Sequence, residues 1–376
     1  MPVPWSLARR TLLTAGLALS VSLASAVPVQ AGPAGRPVSR TTAPVLLGQA
    51  TIPTGTQFQG TTVGGLSGMA YDAGRDVYYA LSDDRSQLSP ARFYTLDIDL
   101  SDGALAQGEV TVLAVTTLRG ADGQTFPALS LDPEGLALTR SGTLLIVSEG
   151  DANARIAPFV REFSLAGAQL RSFPVPDYYS PTGTSGVRNN LAFESAGLTP
   201  QGQFLFTATE NALVQDGPAA TVTTSSPARI LRYDSRSGQL GKEFVYEVDA
   251  VPNAPVPATA FATNGLVELL PLGPTRLLAL ERAFSTGVGN SVRLYLVDLA
   301  GATDVSGRDR LPTALSGIKT AEKTLLLDLD TLGVTLDNLE ALAFGPVLPD
   351  GRQSLVITSD NNFSARQTTQ FLAFAI

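Results

Sequence analysis

The apolar positions of this chain recur in short runs of strand length rather than at helical spacing. The clearest unit spans 132–150. Leu136 and Leu138, then Leu144, Leu145, Ile146 and Val147, form two apolar runs, and the turn residues Arg140, Ser141 and Gly142 separate them. Strand, tight turn, strand is the reading. An antiparallel hairpin brings the start of its first strand and the end of its second to one rim. Glu134 and Glu149 therefore lie close together.

The unit repeats along the chain. Residues 66–84 put Ser67 and Asp83 at the two acid positions, and 193–211 put Glu194 and Glu210 there. Residues 267–282 give Glu268 and Glu281, and 339–362 give Glu340 and Asp360. Copies begin roughly 60 to 75 residues apart, longer than the ~40–50 of a usual propeller blade, so long loops are expected. Two more strands follow each hairpin: 92–100 and 110–117, 159–165 and 169–176, 229–234 and 243–249, 292–299 and 324–330. The last copy is followed only by 370–375, and 45–52 supplies its missing strand. The pattern predicts an all-β fold, a β-propeller of four-stranded blades closed by an N-terminal strand. Five blades are counted. A sixth, with a degenerate copy within 302–323, is the alternative.

In such a blade the start of the first strand, the end of the second and the start of the third share a rim. Carboxylates then occupy the centre, with guanidinium groups around them, because the third strands begin near Arg92, Arg161, Arg229, Arg293 and, less closely, Arg366. The loops on this rim, 177–190, 213–228, 250–264 and 283–291, are long and rich in Gly, Pro, Ser, Thr or Asn, and binding residues concentrate on such loops. The connection 301–323 is long as well but falls on the opposite side.

Composition narrows the chemistry. At 376 residues and 44% hydrophobic the chain supports a large core, and its net charge of −8 argues against nucleic acid or an anionic membrane as partner. It contains neither Cys nor His. That excludes disulfides, thiolate chemistry, Ser-His-Asp catalysis and zinc sites built on imidazole or thiolate. Arg9 and Arg10 precede an apolar run, 12–23, that ends in Ala24, Ser25 and Ala26, with Val29, Gln30 and Ala31 a second cleavage candidate. Residues 1–31 are therefore expected to be an export signal, general secretory or twin-arginine, followed by a flexible leader at 32–43 and a single domain at 44–376. A periplasmic or secreted monomer without a membrane anchor is the expectation.

Converging carboxylates without His suit a hard cation such as Ca²⁺, which takes about 6–8 oxygen ligands. Glu134, Glu194, Glu340 and Asp360 are the candidate ligands, with Asn190, Asn211, Asn361 and Asn362 as neutral oxygens beside them. Glu149 and Glu210 are the candidate general bases. Arg92, Arg161, Arg229 and Arg293 are candidates to clamp an anionic substrate bidentately. The bland alternative is pairing within a blade, Glu149 with Arg161 or Glu210 with Arg229. Against it, a ring of like charges around one channel is costly without a counter-ion.

The motifs G-L-S-G-M-A (65–70), E-G-L-A (134–137), S-D-D-R (82–85), S-E-G (148–150), R-F-Y-T-L-D (92–97), N-L-E-A-L-A (338–343) and S-D-N-N-F (359–363) resemble the phytase-like domain family, labelled "esterase-like activity of phytase". The resemblance runs from about residue 47 to the C-terminus. It implies an exported propeller that hydrolyses a phosphoester or ester, with calcium held by acids and a basic surface gripping phosphate. Lysine is scarce, with Lys242, Lys319 and Lys323 the only ones, which argues against a substrate as highly charged as phytate. Three functions follow as expectations: a metal-dependent hydrolase of a phosphoester, ester or lactone, with a small anionic or ester substrate as partner; a non-enzymatic propeller binding a ligand or protein on its loop-rich face; or a structural domain whose acids only stabilise blades.

Overall fold

Five four-stranded antiparallel sheets follow one another along residues 43–376, the part of the chain that the computed structural model describes. The expected export signal and nearly all of the leader lie outside the described residues. Blade 1 holds Leu66–Asp72, Val77–Ser82, Arg92–Ile98 and Val110–Thr117 as strands A to D. Blade 2 holds Pro133–Leu138, Thr143–Ser148, Phe159–Ser164 and Gln169–Phe173, and blade 3 holds Gly197–Leu198, Phe204–Ala208, Ser226–Asp234 and Leu240–Val248. Blade 4 holds Ala262–Pro271, Arg276–Ser285, Gly289–Asp298 and Glu322–Asp328. Blade 5 takes Leu339–Val347, Gln353–Ser359 and Thr369–Ala375 from the C-terminal end, and its strand D is Val45–Ile52. That last strand pairs antiparallel with Thr369–Ala375, from Val45 opposite Ala375 to Ile52 opposite Thr369.

The A strands contact one another in a closed circuit from blade 1 through blade 5 and back to blade 1. Glycines permit the closest of these approaches. A Cβ on Gly135 would sit 2.5 Å from the Ala196 nitrogen, and one on Gly68 would sit 2.6 Å from the Glu134 carbonyl oxygen. The glycines of the S-G-M and E-G-L motifs are thus packing devices of the inner ring.

Side chains alternate across each sheet and both faces are buried, so the strands read as near-continuous apolar runs. In blade 1, Tyr78 and Ala80 enter the core shared with blade 5, while Tyr79 and Leu81 enter the core shared with blade 2. Three further cores lie between blades 2 and 3, 3 and 4, and 4 and 5, so each gap in the ring has one. Segment 302–323 does not form a sixth blade. Its Val305 and Leu311 pack on Val245 of blade 3 as a surface connection. The expected loop at 283–291 is largely strand, because strands B and C of blade 4 run on into a hairpin that turns at 286–288. Among the described residues no helix is long and apolar enough to cross a membrane.

Candidate functional site

Strand register defines the site. Leu66 pairs with Ser82, Pro133 with Ser148, Phe193 with Thr209, Leu266 with Glu281 and Leu339 with Ser359. The residues that follow these partners occupy two equivalent rings at one rim. The inner ring reads Ser67, Glu134, Glu194, Val267 and Glu340, and the second reads Asp83, Glu149, Glu210, Arg282 and Asp360. In blades 1, 2, 4 and 5 the register of strand A shifts at the inner-ring residue, and such a bulge re-aims a side chain toward the rim.

Blade 4 departs from the expected alignment by one residue. Val267 and Arg282 hold its ring positions, not Glu268 and Glu281. The Glu268 carboxylate instead accepts from its neighbour Leu269 N at 2.8 Å, with the Ala196 and Leu342 amides of adjoining blades facing it. Glu281 accepts from Tyr246 Oη at 2.7 Å, Asn264 Nδ2 at 2.9 Å and Lys323 Nζ at 2.5 Å, and so ties blade 3 to blade 4.

Above the rings opens a cavity of about 910 Å³. Asp83, Asp132, Glu134, Glu194, Glu210, Glu340 and Asp360 line it together with Arg85, Arg282 and Arg366. Two groups of acids are packed tightly. Asp132, Glu134 and Glu149 each offer an oxygen within 4.8 Å of the others, and so do Glu149, Glu194 and Glu210. Glu149 belongs to both groups, is buried, and accepts from the Ala192 amide at Oε1 at 2.6 Å. Across the cavity, Glu340 accepts from Arg282 at 2.5 Å and from Asn338 at 2.9 Å, and Asp360 accepts from the Asn362 amide at 2.6 Å. Asp83 Oδ1 is buried against Gly65 with no hydrogen-bond partner.

Burial is the first cause of strong pKa shifts here, and the crowding of negative charge is the second. Asp83 is pushed up to about 7 by burial and by Glu340 and Asp84, and Asp132 to about 8 by burial and Glu149. Glu210 rises to about 8 by burial, although Arg282 opposes the shift. Glu134 and Glu194 are raised well above the ordinary value by burial and by their carboxylate neighbours, and Asp360 by burial and Asp83. Glu149 is also raised by burial, against hydrogen bonds that favour its charged form. Without a compensating cation this ring holds protons that carboxylates ordinarily give up.

Arg92, Arg161, Arg229 and Arg293 are not brought to the cavity. Each lies on a strand C, two strands out from the inner ring, which at about 4.8 Å per strand is roughly 10 Å away. Arg92 donates to Asp84 at 2.6 Å and to Tyr94 Oη at 2.7 Å, fully buried. Arg229 donates to Asp216 at 2.6 Å and to Glu243 at 3.1 Å. Arg293 approaches Asp328 at 3.4 Å, and Arg161 lies over the Phe159 ring at 3.9 Å. The pairings of Glu149 with Arg161 and of Glu210 with Arg229 do not form. Of the four asparagines, Asn190 and Asn362 line the cavity. Asn211 is spent on backbone groups, and Asn361 on two backbone amides and the Thr54 hydroxyl. Asp132, Arg85 and Arg282 are site residues not singled out from the sequence. Arg85 donates to Asp151 at 2.5 Å and stands 3.4 Å from Asp132.

The donors fit a hard cation: they are all oxygen, several are anionic, they are buried, and they raise one another's pKa for want of a counter-charge. The buried carboxylate clusters could hold a metal ion. Fold and site together define a β-propeller with an acid-floored central cavity. The chain belongs to the Phytase-like family, described as "Esterase-like activity of phytase", whose family model matches residues 61–363. No curated protein matches it. Among solved structures it is similar to hydrazine synthase of Kuenenia stuttgartiensis, at 12% identity over 88% of this chain and 81% of that one, TM-score 0.37. It is similar to the Dos1 propeller at 8% identity over 85% and 72%, TM-score 0.35. The endo-arabinase of Bacteroides thetaiotaomicron is 14% identical over 87% and 96%, TM-score 0.42.

Proposed function

We propose that this chain is an exported, cation-dependent hydrolase of a phosphoester, ester or lactone, working in the central cavity. The observation that carries the reading is the pair of buried carboxylate clusters that share Glu149 beneath a cavity also lined by three arginines. Family membership supports the reaction class, and the basic and apolar opening of the chain supports export. Asp132, Glu134 and Glu149, with Glu194 beside them, would hold the cation, calcium being the ion this oxygen set suits. When bound, such a cation polarises a phosphoryl or carbonyl oxygen and lowers the pKa of water.

The remaining groups divide the work. Arg282 spends one amino group on Glu340 and lines the cavity, where its guanidinium would offset the charge of an anionic substrate oxygen. Glu210 lines the cavity within the field of Arg282, which favours its ionised form, and it is our candidate to take a proton. Glu149, buried and common to both clusters, serves as a ligand rather than a base. Glu340 and Asp360 set the charge of the opposite wall.

Calcium titrated calorimetrically into chelator-stripped protein tests the first half. Glu134→Gln should weaken binding, and Glu149→Gln, which touches both clusters, should abolish it. Turnover of a panel of phosphoesters, carboxylic esters and lactones should then vanish on exhaustive chelation. Turnover indifferent to chelation would refute the proposal. Absence of calcium binding to the intact protein would leave a propeller that binds a ligand without transforming it.

A further inference from the structure

Blade 4 differs from its neighbours at the cavity wall. Where the other blades bring acids to the rings, its inner position is Val267, packed in the core, and the cavity is lined by Arg282, Phe284 and Phe261. Arg282 and Phe284 are two residues apart on strand B, so both point to the same face. Two residues of strand rise about 7 Å. Phe261 stands at the end of the loop that enters strand A, its ring centre 6.3 Å from that of Phe284 and 65% of its surface exposed. This exposure is built into the loop rather than incidental. The Phe261 carbonyl accepts from Thr286 N at 3.0 Å, and the Val256 amide donates to the Thr286 carbonyl at 2.8 Å, so the loop is pinned to the hairpin of blade 4. A large apolar ring held open to water at a cavity mouth forgoes burial that folding would otherwise use.

We propose that Phe261 and Phe284 form an aromatic subsite that receives an aryl group of the substrate, while the anionic or ester head lies below at Arg282 and the acid floor. Phe284 stands two residues along the strand from Arg282 on the same face, so an aryl group held against the two rings keeps its head on the Arg282 side. The preferred substrate class is then a monoester of an aryl alcohol, not a polyphosphorylated polyol. This inference rests on the hydrolase reading and adds to it the identity of the leaving group. Offset or edge contacts between aromatic rings, absent with a polyol, favour such a partner.

The test uses full-length calcium-loaded protein and two phosphonates that cannot be hydrolysed. Phenylphosphonate should bind about 3- to 10-fold more tightly than methylphosphonate, the range expected of one aromatic contact. Phe261→Ala, at an exposed position that leaves the fold intact, should erase that preference and leave methylphosphonate binding unchanged. Phe284→Leu, which keeps apolar volume and removes the ring, should reduce it. In turnover, Phe261→Ala should raise KM for 4-nitrophenyl phosphate or 4-nitrophenyl acetate and leave KM for glycerol 2-phosphate alone. Equal binding of both phosphonates, or a preference that survives Phe261→Ala, overturns the aromatic subsite alone. Failure of both phosphonates to bind removes the anion site at Arg282, and the subsite falls with it.

Discussion

The crowded acids should make the metal-free protein lose stability as pH rises from about 5 to 8. Asp83, Asp132 and Glu210 bind their protons up to about 7, 8 and 8 in the folded chain, against ordinary values of 3.8, 3.8 and 4.5. Between those limits the folded protein keeps protons that the unfolded chain has released, so the free energy of unfolding falls with each step in pH. The benefit is complete at low pH and disappears as pH climbs through the folded values. For Glu210 the span is about three and a half pH units at about 1.4 kcal/mol each, which removes on the order of 4 to 5 kcal/mol. The acids titrate as a set, so their separate losses do not add. Urea unfolding in chelator at pH 5, 6, 7 and 8 should show the decline, and Glu210→Gln, which cannot ionise, should flatten it. Saturating calcium should restore stability most at pH 8, where the ring is most readily stripped of protons. A chelated protein whose stability is constant or rises across this range would refute the account of the ring.

Two other substitutions separate structure from site. Arg229→Ala leaves Asp216 and Glu243 buried without their cation, and should cost about 3–5 kcal/mol in urea unfolding while calcium affinity stays the same; unchanged stability with weakened substrate binding would return this arginine to the substrate. Gly135→Val drives a side chain into the backbone of Ser195 and Ala196, at 2.6 and 2.5 Å from the Cβ position, and should destabilise by about 1–3 kcal/mol or more. Because Glu134 and Glu194 flank that contact, calorimetry should also find calcium binding weakened, and intact binding would show that the two acids move independently of the inner ring.

Most of the architecture was legible because a strand with both faces buried leaves a plain mark: 45–52 and 110–117 were read with the bounds observed, and the closing role of 45–52 followed from a missing partner. The acid positions of blades 1, 2, 3 and 5 were legible for the same reason. Blade 4 misled because Leu266, Val267, Glu268 and Leu269 imitate the repeat when aligned on the glutamate, while Leu266 pairs with Glu281 and so makes Val267 the ring residue. Aligning instead on the leucine before the bulge would have exposed Arg282 as the odd member of its ring. The strand C arginines had the right height on their blades but the wrong distance from the centre, since a one-dimensional pattern gives position along a strand and not radius. Their partners Asp84, Asp216 and Glu243 come from loops or the next strand, and nothing in the repeat marks them. Asp132 could have been found beside Asn338, since both stand two residues before the inner-ring glutamate.

The seam in blade 5 has a consequence for how the molecule can fail. Its outer strand, Val45–Ile52, is joined to Thr369–Ala375 by hydrogen bonds and side-chain packing, with no turn between them, across nearly the whole length of the chain. Such a contact forms late and slowly, because the entropy of closing so long a loop must be met first. If the seam opens, Thr369–Ala375, buried at all seven positions, becomes a bare apolar edge. The strand best matched to that edge is the same Val45–Ile52 of another molecule, and strand exchange between two opened rings would yield a dimer without any new contact. A concentration-dependent dimer that forms on mild heating and persists on cooling would be the mark of a propeller closed by a zip rather than a weld.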